Sequence, residues 1–155
     1  MAPTVAVTYG SAFCVQNFDM PNDKAPRPLR IVVADDDRDM ELSLTMLLRE
    51  EGHEVRGVSS GRHVMGAVID FDPDVVVLDI NMPGAGGWEI ARTIRSQRGT
   101  ERPMLIGISG EYKHGADRVL AQIIGFDHYL LKPCAPSELL SLLARPGTGQ
   151  NVNDV

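Results

Sequence analysis

The fold of this chain is decided by residues 74–84, which read DVVVLDINMPG. Residues 75–78 are an apolar run without polar alternation, which is typical of a strand buried on both faces inside a parallel sheet. Asp79 ends this strand, and a turn follows at once. A buried carboxylate needs polar or charged partners, because an isolated charge is strongly disfavoured there. Ligands bind at the carboxyl ends of the strands in open α/β sheets, so Asp79 is the first candidate for chemistry.

Composition places this chain among soluble globular proteins. Its 155 residues, 43% hydrophobic and 23% charged, fit one domain with some tail. A net charge of −6 argues against general nucleic-acid binding, which needs clustered Lys and Arg. Cys14 and Cys134 are expected to be reduced thiols. Because neither a membrane span nor a signal peptide is visible, we expect a cytoplasmic protein.

Strand and helix patterns alternate five times along the chain. The central strand ends at Asp79, and the other predicted strands are 29–34, 54–58, 104–108 and 127–131. The predicted helices are 38–51, 61–69, 88–97, 115–124 and 137–144. Such alternation requires a parallel sheet with right-handed crossovers and helices on both faces, so we predict an α/β fold.

The first predicted helix has a clear start and an apolar face. Asp37 precedes it and is expected to cap its amino end. The apolar positions recur at helical spacing and are expected to face the sheet; they are Met40, Leu44, Leu47 and Leu48.

The two ends of the chain carry no periodic pattern. Residues 1–28 contain several prolines and are interpreted as an N-terminal extension, with a flexible arm, a strap across the domain and a partner-binding segment left open. Residues 29–145 form the predicted domain, and 146–155 are a polar C-terminal tail.

Polar residues follow four of the five predicted strands. They are Asp35 and Asp36, Asp79, Ser109, and Lys132. The carboxyl ends of parallel strands lie at one edge, so three carboxylates would converge there with one hydroxyl and one ammonium. Close carboxylates repel and call for a cation, and an all-oxygen ligand set favours Mg²⁺. The site is suited to receive a phosphoryl group on Asp79, because a carboxylate is a known nucleophile in phosphoryl transfer.

These strand ends resemble those of response-regulator receiver domains of two-component signalling, over about residues 29–145. The matching pieces, each at the end of a predicted strand, are residues 31–37, 79–84, 109–110 and 132–133. The resemblance implies a flavodoxin-like, doubly wound, five-stranded parallel sheet of order 2-1-3-4-5 with five helices.

The resemblance also implies roles for the residues around the metal. Asp79 would be the phosphoacceptor and a ligand of Mg²⁺. Asp36 would bind the ion directly and Asp35 through water. The backbone carbonyl of Asn81 would complete the protein ligands.

Further roles implied by the resemblance concern the phosphoryl group and its effect. Lys132 would pair with the phosphate, and Ser109 would follow it. Tyr129 matches the switch aromatic of the family, with simple packing at the sheet edge as the alternative. Asn81 and Glu111 occupy positions that tune the phosphoryl lifetime.

The receiver interpretation predicts a signalling switch, not a metabolic enzyme; at most it would catalyse its own phosphorylation and slow dephosphorylation. The donor would be a phosphohistidine on a histidine kinase or phosphotransfer protein. Output would pass through the last two helices and the last strand to a downstream effector protein, without direct nucleic-acid contact. The sequence leaves open whether this is a stand-alone receiver or a fragment, and also its kinase, target and oligomeric state.

Two other functional classes compete with this interpretation. An aspartate-nucleophile phosphohydrolase places an acidic residue two positions after the nucleophile, where this chain has Asn81. A phosphorylation-independent receiver-like binding module is the stronger alternative. The presence of both Asp79 and Lys132 argues against it.

Overall fold

The structure is a computed structural model that describes residues 27–84, 86–110 and 116–144. Its strands are β1 (Arg30–Ala34), β2 (Glu54–Val58), β3 (Val75–Asp79), β4 (Met104–Ser109) and β5 (His128–Leu131). Its helices are α1 (Arg38–Glu50), α2 (Val64–Phe71), α3 (Gly87–Arg98), α4 (Ala116–Ile124) and α5 (Pro136–Leu143). A short 3-10 turn over Gly61–His63 precedes α2, where the sequence predicted one continuous helix.

The five strands form one parallel sheet in the order β2-β1-β3-β4-β5. This topology confirms the predicted flavodoxin-like, doubly wound arrangement. The strand register places the candidate site residues near the same height in the sheet, because Asp79 pairs with Ile108 and Ser109 pairs with Leu131. The carboxyl ends of β1, β3, β4 and β5 therefore share one edge of the sheet.

Apolar side chains fill two layers, one on each face of the sheet. Val76 and Leu78 of β3 point to the layer that α2, α3 and α4 cover. Val75 and Val77 point to the layer under α1 and α5. Every residue of β3 is buried, which explains the absence of polar alternation in its sequence.

The apolar face predicted for α1 is only partly correct. Leu48 is fully buried, whereas the other predicted positions are half-buried and two polar residues, Glu41 and Thr45, are buried instead. The Thr45 hydroxyl donates to the Glu41 carboxylate at 3.0 Å. A side chain at Gly57 of β2 would overlap that carboxylate. The missing side chain on the neighbouring strand therefore gives Glu41 its buried position, which no pattern within α1 reveals.

Most of the two predicted end segments lies outside the described residues. Only Arg27 and Pro28 of the predicted N-terminal extension belong to the described residues, and the tail over 146–155 lies outside them. Arg27 lies 3.5 Å from the Asp74 carboxylate, at the amino end of β3. Within the described ranges, every helix is too short or too polar to cross a membrane.

Candidate functional site

The predicted polar residues meet at the carboxyl edge of the sheet. Asp35 follows β1, Asp79 ends β3 and Ser109 ends β4, with exposed fractions of only 2%, 4% and 2%. Asp36 is exposed beside them. Asp79 is thus a buried carboxylate whose neighbour, Asp36, is open to solvent.

Lys132 joins two of the carboxylates. Its Nζ lies 2.9 Å from Oδ2 of Asp35 and 3.2 Å from Oδ2 of Asp79. Burial lowers the pKa of the Lys132 ammonium, but the carboxylates of Asp35 and Asp79 outweigh that effect and hold its pKa above the usual range. Lys132 is therefore fully protonated at neutral pH. Lys132 thus bridges two carboxylates in the structure, whereas the resemblance implied for it only a pairing with the phosphate.

The three carboxylates remain in excess over this single ammonium. Asp35, Asp36 and Asp79 each place an oxygen within 4.8 Å of the other two. Three negative charges against one positive charge leave a net negative charge, which a divalent cation would balance. The residues therefore fit a hard divalent cation held by oxygen ligands.

The start of α1 fixes two of the three aspartates that precede it, Asp35 and Asp37. Asp37 accepts hydrogen bonds from the backbone N–H groups of Asp39 and Met40 at 3.0 and 3.4 Å, which confirms its predicted role as the helix cap. Its own N–H donates to Oδ1 of Asp35 at 2.9 Å. One short turn therefore caps the helix and orients Asp35 toward Lys132.

The loop after β3 connects Asp79 with Ser109 through Asn81. The backbone N–H of Asn81 donates to Oδ1 of Asp79 at 3.1 Å. Its side-chain amide donates to Oγ of Ser109 at 3.3 Å. From the sequence, the Asn81 carbonyl was predicted as a ligand and its side chain as a tuning position, but no local pattern indicates the contact with Ser109. The two residues are 28 positions apart, and only the pairing of β3 with β4 brings them together.

The amino end of α3 packs directly against the backbone of the site. A Cβ on Gly87 would lie 2.6 Å from Cα of Ile80 and 2.7 Å from the carbonyl oxygen of Asp79. Such distances are shorter than van der Waals contact, and backbone atoms cannot move aside as a flexible side chain can. Glycine at this position is therefore a condition for the observed placement of α3 beside Asp79.

We expect Gly87→Ala to lower the free energy of unfolding by about 1–3 kcal/mol, because the added methyl overpacks against fixed backbone. Gly86→Ala is the matched control. Gly86 is adjacent, has φ −65°, and a Cβ there meets no atom within 4 Å. Urea denaturation of both variants checks the prediction. Equal stability of the two variants would contradict the close packing of α3.

The predicted switch aromatic is part of a ring cluster. Tyr129 is half-buried and stacks on Trp88 with ring centroids 6.4 Å apart and an interplanar angle of 20°. Trp88 also meets Phe126 edge-on at 5.6 Å. Phe126 lies over Gly107 of β4, which has no side chain to occupy that space. The remaining predicted tuning residue, Glu111, lies outside the described residues.

Comparison with known proteins gives one consistent family. The sequence model of the response regulator receiver domain matches residues 31–144. In sequence, the chain is 35% identical over 112 residues to the DNA-binding response regulator MtrA of Mycobacterium tuberculosis, covering 72% of this chain and 47% of MtrA. It is 37% identical over 115 residues to the transcriptional regulatory protein TcrA of the same organism, covering 74% of this chain and 44% of TcrA. The chain thus matches about half the length of these relatives or slightly less.

Solved structures agree on the fold. The chemotaxis protein CheY4 of Vibrio cholerae superposes with a TM-score of 0.70 at 24% identity, covering 77% of this chain and 98% of that protein. At this identity the likeness concerns the fold alone. A CheY-like receiver domain protein of Methanospirillum hungatei has a TM-score of 0.69 at 25% identity, covering 76% of this chain and 91% of that chain.

Proposed function

The chain belongs to the response regulator receiver family, and from this premise we propose that it accepts a phosphoryl group on Asp79 and changes conformation to control a partner protein. The observation that carries the proposal is the paired burial of Asp35 and Asp79 around the Lys132 ammonium. A buried carboxylate paired with an ammonium, beside an exposed acidic neighbour, suits an incoming phosphoryl group and its counter-ion.

The proposed reaction is a displacement at phosphorus. A carboxylate oxygen of Asp79 forms a bond to phosphorus while the bond from phosphorus to the donor breaks. The leaving group, a histidine imidazole, keeps the electron pair of that bond and its nitrogen takes up a proton. Lys132 stays within reach of Oδ2 of Asp79 and neutralises charge on the transferred oxygens. The protein's part is positioning and electrostatics, so the driving energy comes from the donor.

Mg²⁺ is the cation proposed for the carboxylate cluster. Asp36 and Asp79 would bind it directly, Asp35 through water, and Asn81 through its backbone carbonyl. When bound, the ion would offset the repulsion between carboxylates and phosphoryl oxygens. The close spacing of the three carboxylates supports this assignment.

The proposed donor is a histidine kinase or a histidine phosphotransfer protein, and the proposed location is the cytoplasm. The receiver would comprise residues 29–145, with 1–28 as an extension and 146–155 as a tail. Ser109 would follow the phosphoryl group and Tyr129 would respond to its movement, while Asn81 and Glu111 would tune the phosphoryl lifetime. Tyr129 stacks on Trp88, so a rotation of Tyr129 would exchange that contact for another.

The proposed output surface is formed by α4, β5 and α5. Several large apolar side chains are exposed there, namely Val119, Leu120 and Ile123 of α4 and Leu131 of β5. Ile123 is 76% exposed, which is unusual for isoleucine and favours a protein partner on this face. We propose no direct nucleic-acid contact for this domain; the relatives named as DNA-binding or transcriptional regulators are longer chains.

The proposed function is tested by phosphoryl incorporation from acetyl phosphate. We expect the protein to become labelled in the presence of Mg²⁺, and EDTA to abolish the labelling. Calorimetric titration with beryllofluoride and Mg²⁺ provides an independent measure of the same site. Absence of both labelling and binding would contradict the proposal and favour the phosphorylation-independent binding module.

A further inference from the structure

Asn81 is the residue that connects the proposed phosphoacceptor with the proposed switch hydroxyl. Its backbone N–H is bound to Asp79 and its side-chain amide is bound to Ser109, at 3.1 and 3.3 Å. Asn81 is an exposed residue, whereas both of its partners are almost fully buried. The contact therefore joins an amide on an exposed residue to a buried hydroxyl.

We propose that the Asn81 side chain is a positioning residue that holds Ser109 in its resting place and releases it when Asp79 receives a phosphoryl group. The inference rests on the proposed function and deepens it. In the resting state the Asn81 amide donates to Oγ of Ser109. In the phosphorylated state Ser109 turns its own O–H toward a phosphoryl oxygen, and the bond from Asn81 is given up.

The geometry explains why this bond is readily exchanged. A distance of 3.3 Å is longer than the usual 2.9–3.0 Å for an N–H···O bond, so a small displacement of Oγ breaks it. Asn81 is exposed, so its released amide gains hydrogen bonds to water. Ser109 is buried and gains a charge-assisted bond to the phosphoryl group. The resting bond therefore adds a modest cost to activation without preventing it.

Removal of the resting hydrogen bond should shift the equilibrium between the resting and activated states in a defined direction. Removing the Asn81 amide should destabilise only the resting state, so the activated state should form more easily. The net value of one such hydrogen bond corresponds to roughly a three- to tenfold change in an equilibrium constant. Asn81→Ala keeps the backbone N–H that binds Asp79 and the backbone carbonyl proposed as a ligand. The variant therefore removes the side-chain contact alone.

The test is a double-mutant cycle on beryllofluoride affinity in saturating Mg²⁺, measured by titration calorimetry. We expect Asn81→Ala to bind beryllofluoride about three- to tenfold more tightly than the wild type. In the Ser109→Ala background the same substitution should change the affinity by less than about twofold, because the contact is already absent. Beryllofluoride is not hydrolysed as a phosphoryl group is. An effect of Asn81 on phosphoryl lifetime therefore cannot account for a change in beryllofluoride affinity. Urea denaturation of all four proteins verifies that each is folded.

The outcomes separate this inference from the proposed function. Unchanged or weaker binding by Asn81→Ala overturns the inference alone, provided that the wild type binds beryllofluoride. An equal gain in both the wild-type and Ser109→Ala backgrounds also overturns it, because the effect would then not pass through Ser109. Absence of binding by the wild type would overturn the proposed function together with the inference.

Discussion

Asp79→Asn is expected to reduce Mg²⁺-dependent phosphoryl incorporation from acetyl phosphate to background. The amide has nearly the same shape as the carboxylate, but it lacks the negative oxygen that attacks phosphorus. The substitution also removes one of three mutually repelling carboxylates, so the protein should remain folded. Radiolabelling and intact mass spectrometry, with urea denaturation in parallel, measure both effects.

Asp74→Asn is the matched control for this experiment. Asp74 immediately precedes β3, at the opposite end of the strand from Asp79, and its carboxylate contacts Arg102 at 2.6 Å. We expect incorporation at the wild-type level in this variant. Residual labelling of Asp79→Asn above background would place the phosphoryl group on another residue and contradict the assignment of Asp79.

Lys132→Met should lower the free energy of unfolding in EDTA by roughly 3 kcal/mol, because it leaves two buried carboxylates without their shared cation. Mg²⁺ should restore part of this loss, since the ion binds the folded carboxylate cluster and supplies the missing positive charge. The stabilisation by Mg²⁺ is therefore expected to be larger in the variant than in the wild type. Urea denaturation with EDTA and with Mg²⁺ gives both values.

Arg62→Met is the control for the loss of one positive charge. Arg62 is exposed and has no ion pair among the described residues, so its removal should change stability by less than about 0.5 kcal/mol. A second variant, Asp79→Asn in the Lys132→Met background, should recover stability by removing one repelling charge. Equal Mg²⁺ stabilisation of Lys132→Met and the wild type would show that Lys132 does not offset the carboxylate charge.

The same ion pairs predict a dependence on alkaline pH. The pKa of Lys132 is raised in the folded state, so its stabilising contribution is complete below the ordinary lysine pKa of about 10.4. The contribution decreases as the pH rises from there through the raised folded value. Lys132→Met should lack this alkaline loss of stability, and denaturation at pH 8 and pH 11 compares the two proteins.

The order of the structural elements could be read from local patterns alone. Unbroken apolar runs such as residues 75–78 mark buried parallel strands, and intervening helical periods mark the crossovers. The parallel connection then places the carboxyl ends of all strands at one edge, so the sequence alone predicts that Asp35, Asp79, Ser109 and Lys132 meet there. Periodicity and chain connectivity are sequence properties, and the structure confirmed both.

The pairing of individual side chains could not be read in this way. Glu41 is buried because Gly57 of another strand leaves room for it, and Phe126 occupies the space above Gly107. Each of these positions depends on a residue on a different element. A local pattern contains no information about such a neighbour.

The sequence by itself therefore determined the class of fold, the edge that carries the chemistry and the residue types gathered there. Only the tertiary structure decided that Lys132 bridges two carboxylates and that the Asn81 amide reaches Ser109. The physical reason is the sequence distance over which each effect acts. Periodicity and capping act over a few residues, whereas Asn81 and Ser109 are 28 positions apart and Asp79 and Lys132 are 53 positions apart. The geometry of these contacts is fixed by strand register and core packing.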